Sequence, residues 1–516
     1  MRAVLPLAAS SLTFPDYAVL LGALLVVLGI GARFGRRQKD TEDFFLAGRH
    51  IPWWAALLSF MATEISALTI VGVPATAYKE NWLYLQYFIG SSAAKLGIAF
   101  LFIPAFYRLR VTTIYQLLGH RFGPATQVTA ALFFFVTRLL GSGVRLMAAA
   151  VAVAILLDWR LDLTIAVFTL VSIAYIAAGG VSAIVWSNVL QAALFLAAGV
   201  AALLFVTSQA GGPAKVWELA SSAGRLQVIN GGAWPWEPGF LRQALTGDNI
   251  LWVAILNGFV GSLAAFGTDH DLMQRLLAVE TRGASQRTLA LSPLPTLLVV
   301  LVHLALGTAL FAFYALHPDL HVARADHVFP EFARDVMPAG LRGLVLTAIL
   351  LASLDSPLGA LAASFVTDIY RPRLAPGRSE QHYLLVSRLS VLAFGLALAL
   401  LAWGFSFFER ILWLAFQIAG VTFGSLLGVF LLALLSERRL ADRGNALAMV
   451  AMAGTNLALL VLIRTQVIAL HWSWLVILGT AGTVLLALLF DRVLAQPPGP
   501  GSPAGPPSTQ PSSASS

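Results

Sequence analysis

The chain has 516 residues, 58% of them hydrophobic and 11% charged, with a mean hydropathy of +0.81. Soluble domains carry about 25% charged residues, so this composition excludes an ordinary soluble enzyme or binding module. The net charge of +8 follows loop position and does not argue for a nucleic-acid partner, and with no cysteine there is neither disulfide nor thiol chemistry.

In chain order, residues 1–14 are too short and too weakly apolar for a cleaved leader and are expected as a short extracytoplasmic segment. From there to residue 494, apolar runs recur that are long enough for a ~30 Å hydrocarbon layer. They lack strict alternation, so they read as helices and not barrel strands. About thirteen spans are predicted: 15–33, 52–77, 82–107, 126–157, 160–179, 184–208, 247–271, 288–316, 339–367, 384–407, 410–435, 444–464 and 470–491. The longer connections 209–246 and 317–338 carry Trp, Pro and Gly and read as structured caps. The Pro/Ser-rich tail 495–516 is expected to be disordered and cytoplasmic.

Basic residues cluster in alternate loops: Arg33, Arg36, Arg37, Lys39 and Arg49; Arg108, Arg110 and Arg121; Arg275, Arg282 and Arg287; Arg371, Arg373 and Arg378; Arg438, Arg439 and Arg443. By the positive-inside bias this places the N-terminus outside and the C-terminus in the cytoplasm, in a plasma (inner) membrane of bacterial type.

Three spans carry polar residues where lipid-facing ones would be expected. Residues 349–370 read as one long helix holding Ser353, Asp355 and Ser356. A carboxyl costs about 2.5–3.5 kcal/mol at a bilayer centre, so Asp355 is expected to face protein or water. Span 52–77 holds Thr63, Glu64, Ser66 and Thr69 mid-span, then Gly72 and Pro74. Span 247–271 holds Asn257, Gly258, Gly261, Ser262 and Gly267. These two lie five spans apart. Paired interrupted spans in corresponding halves point to a transporter site built from inverted repeats, where unwound turns free carbonyls and amides for ligands.

Five segments, in order, resemble the sodium:solute symporter family of sodium-coupled sugar, proline and pantothenate carriers: DFFLAGRHIPWW (43–54), TTIYQLLGHRFG (112–123), GGVSAIVWSNVLQ (179–191), GTDHDLMQRLLAVE (267–280) and PAGLRGLVLTAILLASLDS with TDIY (338–356, 367–370). The resemblance runs from about Phe44 to Leu435. It implies an all-α membrane protein with a five-plus-five inverted-repeat core over about 52–435 and alternating access. The implied activity is secondary symport of a small organic solute with sodium; no enzymatic constellation is present.

Carried onto matching positions, the sodium ligands are the carbonyls of Ala62, Ile65 and Ile349 and a hydroxyl pair at Ala352 and Ser353. Ala352 departs from the pattern because it has no hydroxyl. So does Asn188, where many relatives place an aspartate linked to coupling. Asp355, three residues beyond Ala352, is a candidate to supply the missing charge or carry a proton; its other reading is a structural cap. A proton-coupled or uncoupled carrier, and a non-transporting solute sensor, therefore stand as alternatives.

The implied substrate face includes Glu64, Ser91, Ser262, Phe266 and Gln417, with Ser92 beside Ser91. Phe88 and Phe266 leave few hydrogen-bonding groups, which argues for a solute smaller or less polar than a sugar. Glu64 either contacts solute or pairs with Lys95, Arg138 or Arg145, since intramembrane charges usually pair. Lys95 is expected in a structural role and Arg138 and Arg145 in a structural network. His303 reads as a satisfied core histidine, and Asp269, His270 and Asp271 as a helix end and not a metal cluster.

Overall fold

The computed structural model describes residues 12–35, 38–157, 159–247, 250–320, 322, 324–354, 357–407 and 411–494. Asp355 and Ser356 lie outside them, as do residues 1–11 and 495–516; the side chains of Ser353 and Gln417 are likewise outside the description. Described regular structure is helical throughout, apart from one parallel bridge between Ile51 and Val279. Helices close every main-chain hydrogen bond within one segment, which a hydrocarbon solvent demands.

The principal helices are α1 (Phe14–Gly35), α2 (Trp53–Glu64), α3 (Ala67–Lys79), α4 (Tyr84–Leu109), α5 (Pro124–Leu157) and α6 (Leu161–Gln209). They continue with α7 (Leu251–Gly267), α8 (His270–Leu277), α9 (Arg282–Leu291), α10 (Pro293–Leu316), α11 (Leu341–Leu354) and α12 (Leu358–Ser364). The last four are α13 (Glu380–Phe405), α14 (Ile411–Leu435), α15 (Asp442–Arg464) and α16 (Trp474–Leu494). Among the described residues, eight stretches are long and apolar enough to cross a membrane, and two bent pairs, residues 53–64 with 69–79 and residues 240–246 with 251–267, pass the same test together. Residues 341–352 and 420–435 form shorter apolar helices. Helix α6 is 49 residues long, about 74 Å at 1.5 Å per residue, so it holds two spans. It turns at Gly180 (φ 57°, ψ −151°), where a Cβ would meet the Phe44 carbonyl oxygen at 2.4 Å. That turn falls between the predicted spans 160–179 and 184–208.

The order yields two matching halves of five: α2/α3, α4, α5 and the two arms of α6, then α7/α8, α10, α11/α12, α13 and α14. Each half begins with a broken helix. Helix α1 precedes this core and packs on α6 and α11, while α15 and α16 follow it and pack on α14. Side chains such as Leu25, Phe100, Leu204 and Leu400 are about two-thirds exposed; on apolar helices such a belt faces hydrocarbon, not water.

The breaks sit where the main chain leaves helical geometry, and not at every glycine or proline the sequence singles out. In the first, Ile65 (φ −86°, ψ 105°) and Ser66 (φ −96°, ψ 172°) are extended. The axes of residues 53–64 and 69–79 differ by 56°. Gly72 and Pro74 lie inside α3. In the second, the chain departs at Thr268 and Asp269, and Asn257, Gly258, Gly261 and Ser262 stay helical. Gly258 instead lets α7 cross α4: a Cβ there would meet the Tyr87 carbonyl oxygen at 2.2 Å, and one on Gly90 would meet that of Ile255 at 2.0 Å. Small residues at a crossing let membrane helices approach closely.

Candidate functional site

Glu64 is the last residue of α2, on the edge of the first break. Lys95 of α4 donates to both its carboxylate oxygens, at 2.8 and 2.7 Å, and Thr296 of α10 donates to Oε2 at 3.0 Å. The Lys95 side chain is fully buried and that of Glu64 is 14% exposed. The Lys95 ammonium also lies 5.8, 5.9 and 5.1 Å from the ring centroids of Phe60, Phe88 and Phe266, a range in which ring faces attract cations. Of the three partners open to Glu64 in the sequence, the fold selects Lys95. Thr296 had no signal in the sequence beyond one hydroxyl in an apolar run.

Beside this pair, Ser262 of α7 donates to Ser91 of α4 at 2.8 Å, both buried. Phe266 meets Phe60 edge-on at 5.8 Å between centroids. Four of the predicted substrate-face residues (Glu64, Ser91, Ser262 and Phe266) thus belong to one cluster across α2, α4 and α7.

On the other flank of α2, the Asn188 amide of α6 donates to the hydroxyls of Ser59 (3.2 Å) and Thr63 (3.1 Å). Thr63 in turn donates to the Ser59 carbonyl at 2.9 Å. An amide can donate where an aspartate could only accept, so Asn188 here secures the last turn of α2. The Ala62 carbonyl falls among the final four of that helix, which have no intrahelical partner. Ala62, Ile65, Ile349 and Ala352 are all buried in one apolar core, and α11 packs against α3 just past the break.

The second break is wired differently. Asp269 caps α8, accepting from the Asp271 amide at 2.9 Å, a favourable place for a carboxylate. Arg138 of α5 pairs with Asp269 at 3.3 Å and with Asp271, and Arg275 bonds Asp271 Oδ1 at 2.8 Å. All four side chains are buried or nearly so. These aspartates therefore form a helix end, as the sequence implied, and also a charge network with Arg138 and Arg275, a pairing that it did not imply. His303 bonds the Val299 carbonyl at 2.8 Å as a core histidine.

Two buried carboxylates position the eighth core helix: Asp16, and the aspartate of the TDIY segment, Asp368, neither of which carries a role on the sequence alone. Asp16 of α1 bonds Arg342 (2.6 Å) and the amides of Gly340 (2.9 Å) and Gly343 (2.8 Å), at the start of α11. Asp368, past the apolar part of that helix, accepts from Thr113 (2.6 Å), Gln127 (2.8 Å) and Ser364 (2.8 Å). Burial raises the Asp368 carboxyl to about 6, against the pull of those three hydrogen bonds.

The model of the sodium:solute symporter family matches residues 44–454. The sodium/sialic acid symporter SiaT of Proteus mirabilis is 28% identical over 84% of this chain and 86% of its own length. The sodium-coupled monocarboxylate transporter 2 of Danio rerio is 27% identical over 81% and 67%. The human sodium/iodide cotransporter is 27% identical over 81% and 65%. Among solved structures, a substrate-bound, outward-open Na⁺-coupled sialic acid symporter superposes with a TM-score of 0.83 at 23% identity, covering 93% of this chain and 98% of that one. With paired broken helices, two halves of five and a family match over most of its length, this chain belongs to the sodium:solute symporter family and is a sodium-coupled carrier of a small solute.

Proposed function

We propose that the chain carries a small organic anion, a carboxylate, into the cell with sodium. The protein would sit in a plasma (inner) membrane of bacterial type, its N-terminus outside and its Arg-rich loops and C-terminus in the cytoplasm. The observation that carries the solute class is the state of Glu64. Its carboxylate is already neutralised by Lys95 and bonded by Thr296, so Glu64 offers no free negative charge to a cationic solute. What the cluster offers is hydroxyls (Ser91, Ser262) and a ring (Phe266), with Gln417 as the further solute-face residue. The relatives named for sialic acid and for monocarboxylates support the same class.

Sodium would be held by the carbonyls of Ala62, Ile65 and Ile349 and the Ser353 hydroxyl, the oxygen ligands a hard cation prefers. With one ligand missing at Ala352, water completes the shell and affinity is modest. Sodium bridging the first and eighth core helices favours the state in which solute binds better, and its differential affinity sets the size of the effect.

A thermal-shift screen of the purified protein against carboxylates, sugars and amino acids, in sodium and in choline, tests this reading. A carboxylate that stabilises only with sodium is expected. A neutral sugar as the sole hit overturns the anion assignment. Uptake into proteoliposomes adds a sharper measurement: Ala352→Ser, which restores the hydroxyl, is expected to lower the half-saturating sodium concentration about tenfold, near 1.4 kcal/mol. An unchanged sodium dependence removes Ala352 from the site.

A further inference from the structure

A buried ion pair is a poor stabiliser, since a well-packed apolar pair in its place is often neutral or better. The pair at the first break therefore invites a role other than stability. Around the Lys95 ammonium stand both Glu64 oxygens at 2.7–2.8 Å, with the Thr296 hydroxyl on Glu64 Oε2 and the faces of Phe60, Phe88 and Phe266 closing the shell. Remove the ammonium, and what remains is a carboxylate beside a hydroxyl, next to a helix end whose last carbonyls lack helical partners. That is a carboxylate and a hydroxyl inside a cage of ring faces, of net charge −1, a setting for one small monovalent cation. Residues 62 and 64 are about 200° apart around a helix, so the Glu64 side chain leaves α2 on a different face from that of Ala62.

We propose that Lys95 is a tethered cation that fills a second monovalent-cation site, formed by Glu64 and Thr296. The ammonium supplies the charge there without being carried, so the chain moves one cation fewer per cycle than its oxygens would otherwise bind. The site's chemical class is a small monovalent cation, Na⁺ or a primary alkylammonium. The inference goes beyond the proposed solute and does not depend on it, because its readout is ion binding in the absence of solute.

The test uses full-length protein and three variants: Lys95→Met, which keeps the stem and loses the charge; Lys95→Ala, which opens room for an added ammonium; and the double variant Glu64→Gln/Lys95→Met. Radiolabelled Na⁺ binding by equilibrium dialysis is expected to rise by about one equivalent in K95M over the parent and to return to the parental value in the double variant. The melting temperature of K95M should rise more steeply with NaCl, at constant ionic strength against choline chloride, than that of the parent. n-Butylammonium should stabilise K95A and leave the parent unmoved. A K95M protein that melts cooperatively and binds no extra Na⁺ overturns the proposal, as does an extra equivalent that survives in the double variant. Recovery of K95M only when Glu64 is also neutralised, even in high Na⁺, overturns it too, because a cation site should fill.

Discussion

The two broken helices solve one electrostatic problem in two ways. At the second break, Asp269 and Asp271 share Arg138 and Arg275, and planar guanidinium forks fix orientation as well as charge. At the first, a single Glu64 faces a single Lys95 in a cage of rings. An ammonium is a compact point charge, similar in charge and ligand preference to the ions a carrier moves. The arginine-locked break is built as a fastener; the lysine-filled break is built around a cation.

The comparison is broken most severely by Arg138→Ala. It takes from Asp269 and Asp271 the guanidinium that pairs with both, with an expected cost of about 3–5 kcal/mol, read by thermal unfolding in detergent. A loss below ~1 kcal/mol would mean that the network is solvated and not a fastener.

Asp368 differs from both breaks, because its carboxylate is bonded by two hydroxyls and an amide. Its value of about 6 lies above the ordinary 3.8, so the folded protein binds more protons than the unfolded chain between those values. Stability therefore falls as pH rises through about 4 to 6, by on the order of 3 kcal/mol in all. Melting temperatures of Asp368→Asn should lack that slope, and an identical slope in both proteins would dismiss the assignment.

Glu64→Gln leaves the buried ammonium a carbonyl to donate to but no counter-charge. About 3 kcal/mol is expected, the low end for a buried charge that loses its partner because the Gln carbonyl still accepts, less than for Arg138→Ala, and the opposite order would reverse the ranking of the two breaks. Ser91→Ala removes one buried hydrogen bond to Ser262, for about 1 kcal/mol of stability. Weaker solute binding in the same variant is expected if this pair lines the solute path, and unaltered binding places the path elsewhere.

Composition and periodicity by themselves determined a helical membrane protein with polar residues inside the first span of each half, because hydrocarbon admits few backbone solutions and polar residues in apolar runs are costly, but not where the second break falls, since Asn257, Gly258, Gly261 and Ser262 stay helical. The ordered motifs gave the family, and with it the cluster of Glu64, Ser91, Ser262 and Phe266. The partner of Glu64, the Asn188 bonds to Ser59 and Thr63, and the use of Gly90 and Gly258 at a crossing were settled only in three dimensions. Helical periodicity says which face a side chain occupies, but not which distant helix meets that face. Lys95, Arg138 and Arg145 are equal candidates along the chain, and the packing of α4 against α7, which brings Lys95 within reach of Glu64, decides among them. The break at Ile65–Ser66 is likewise tertiary: a helix ends where its carbonyls and amides find better use, and neighbouring helices set that position.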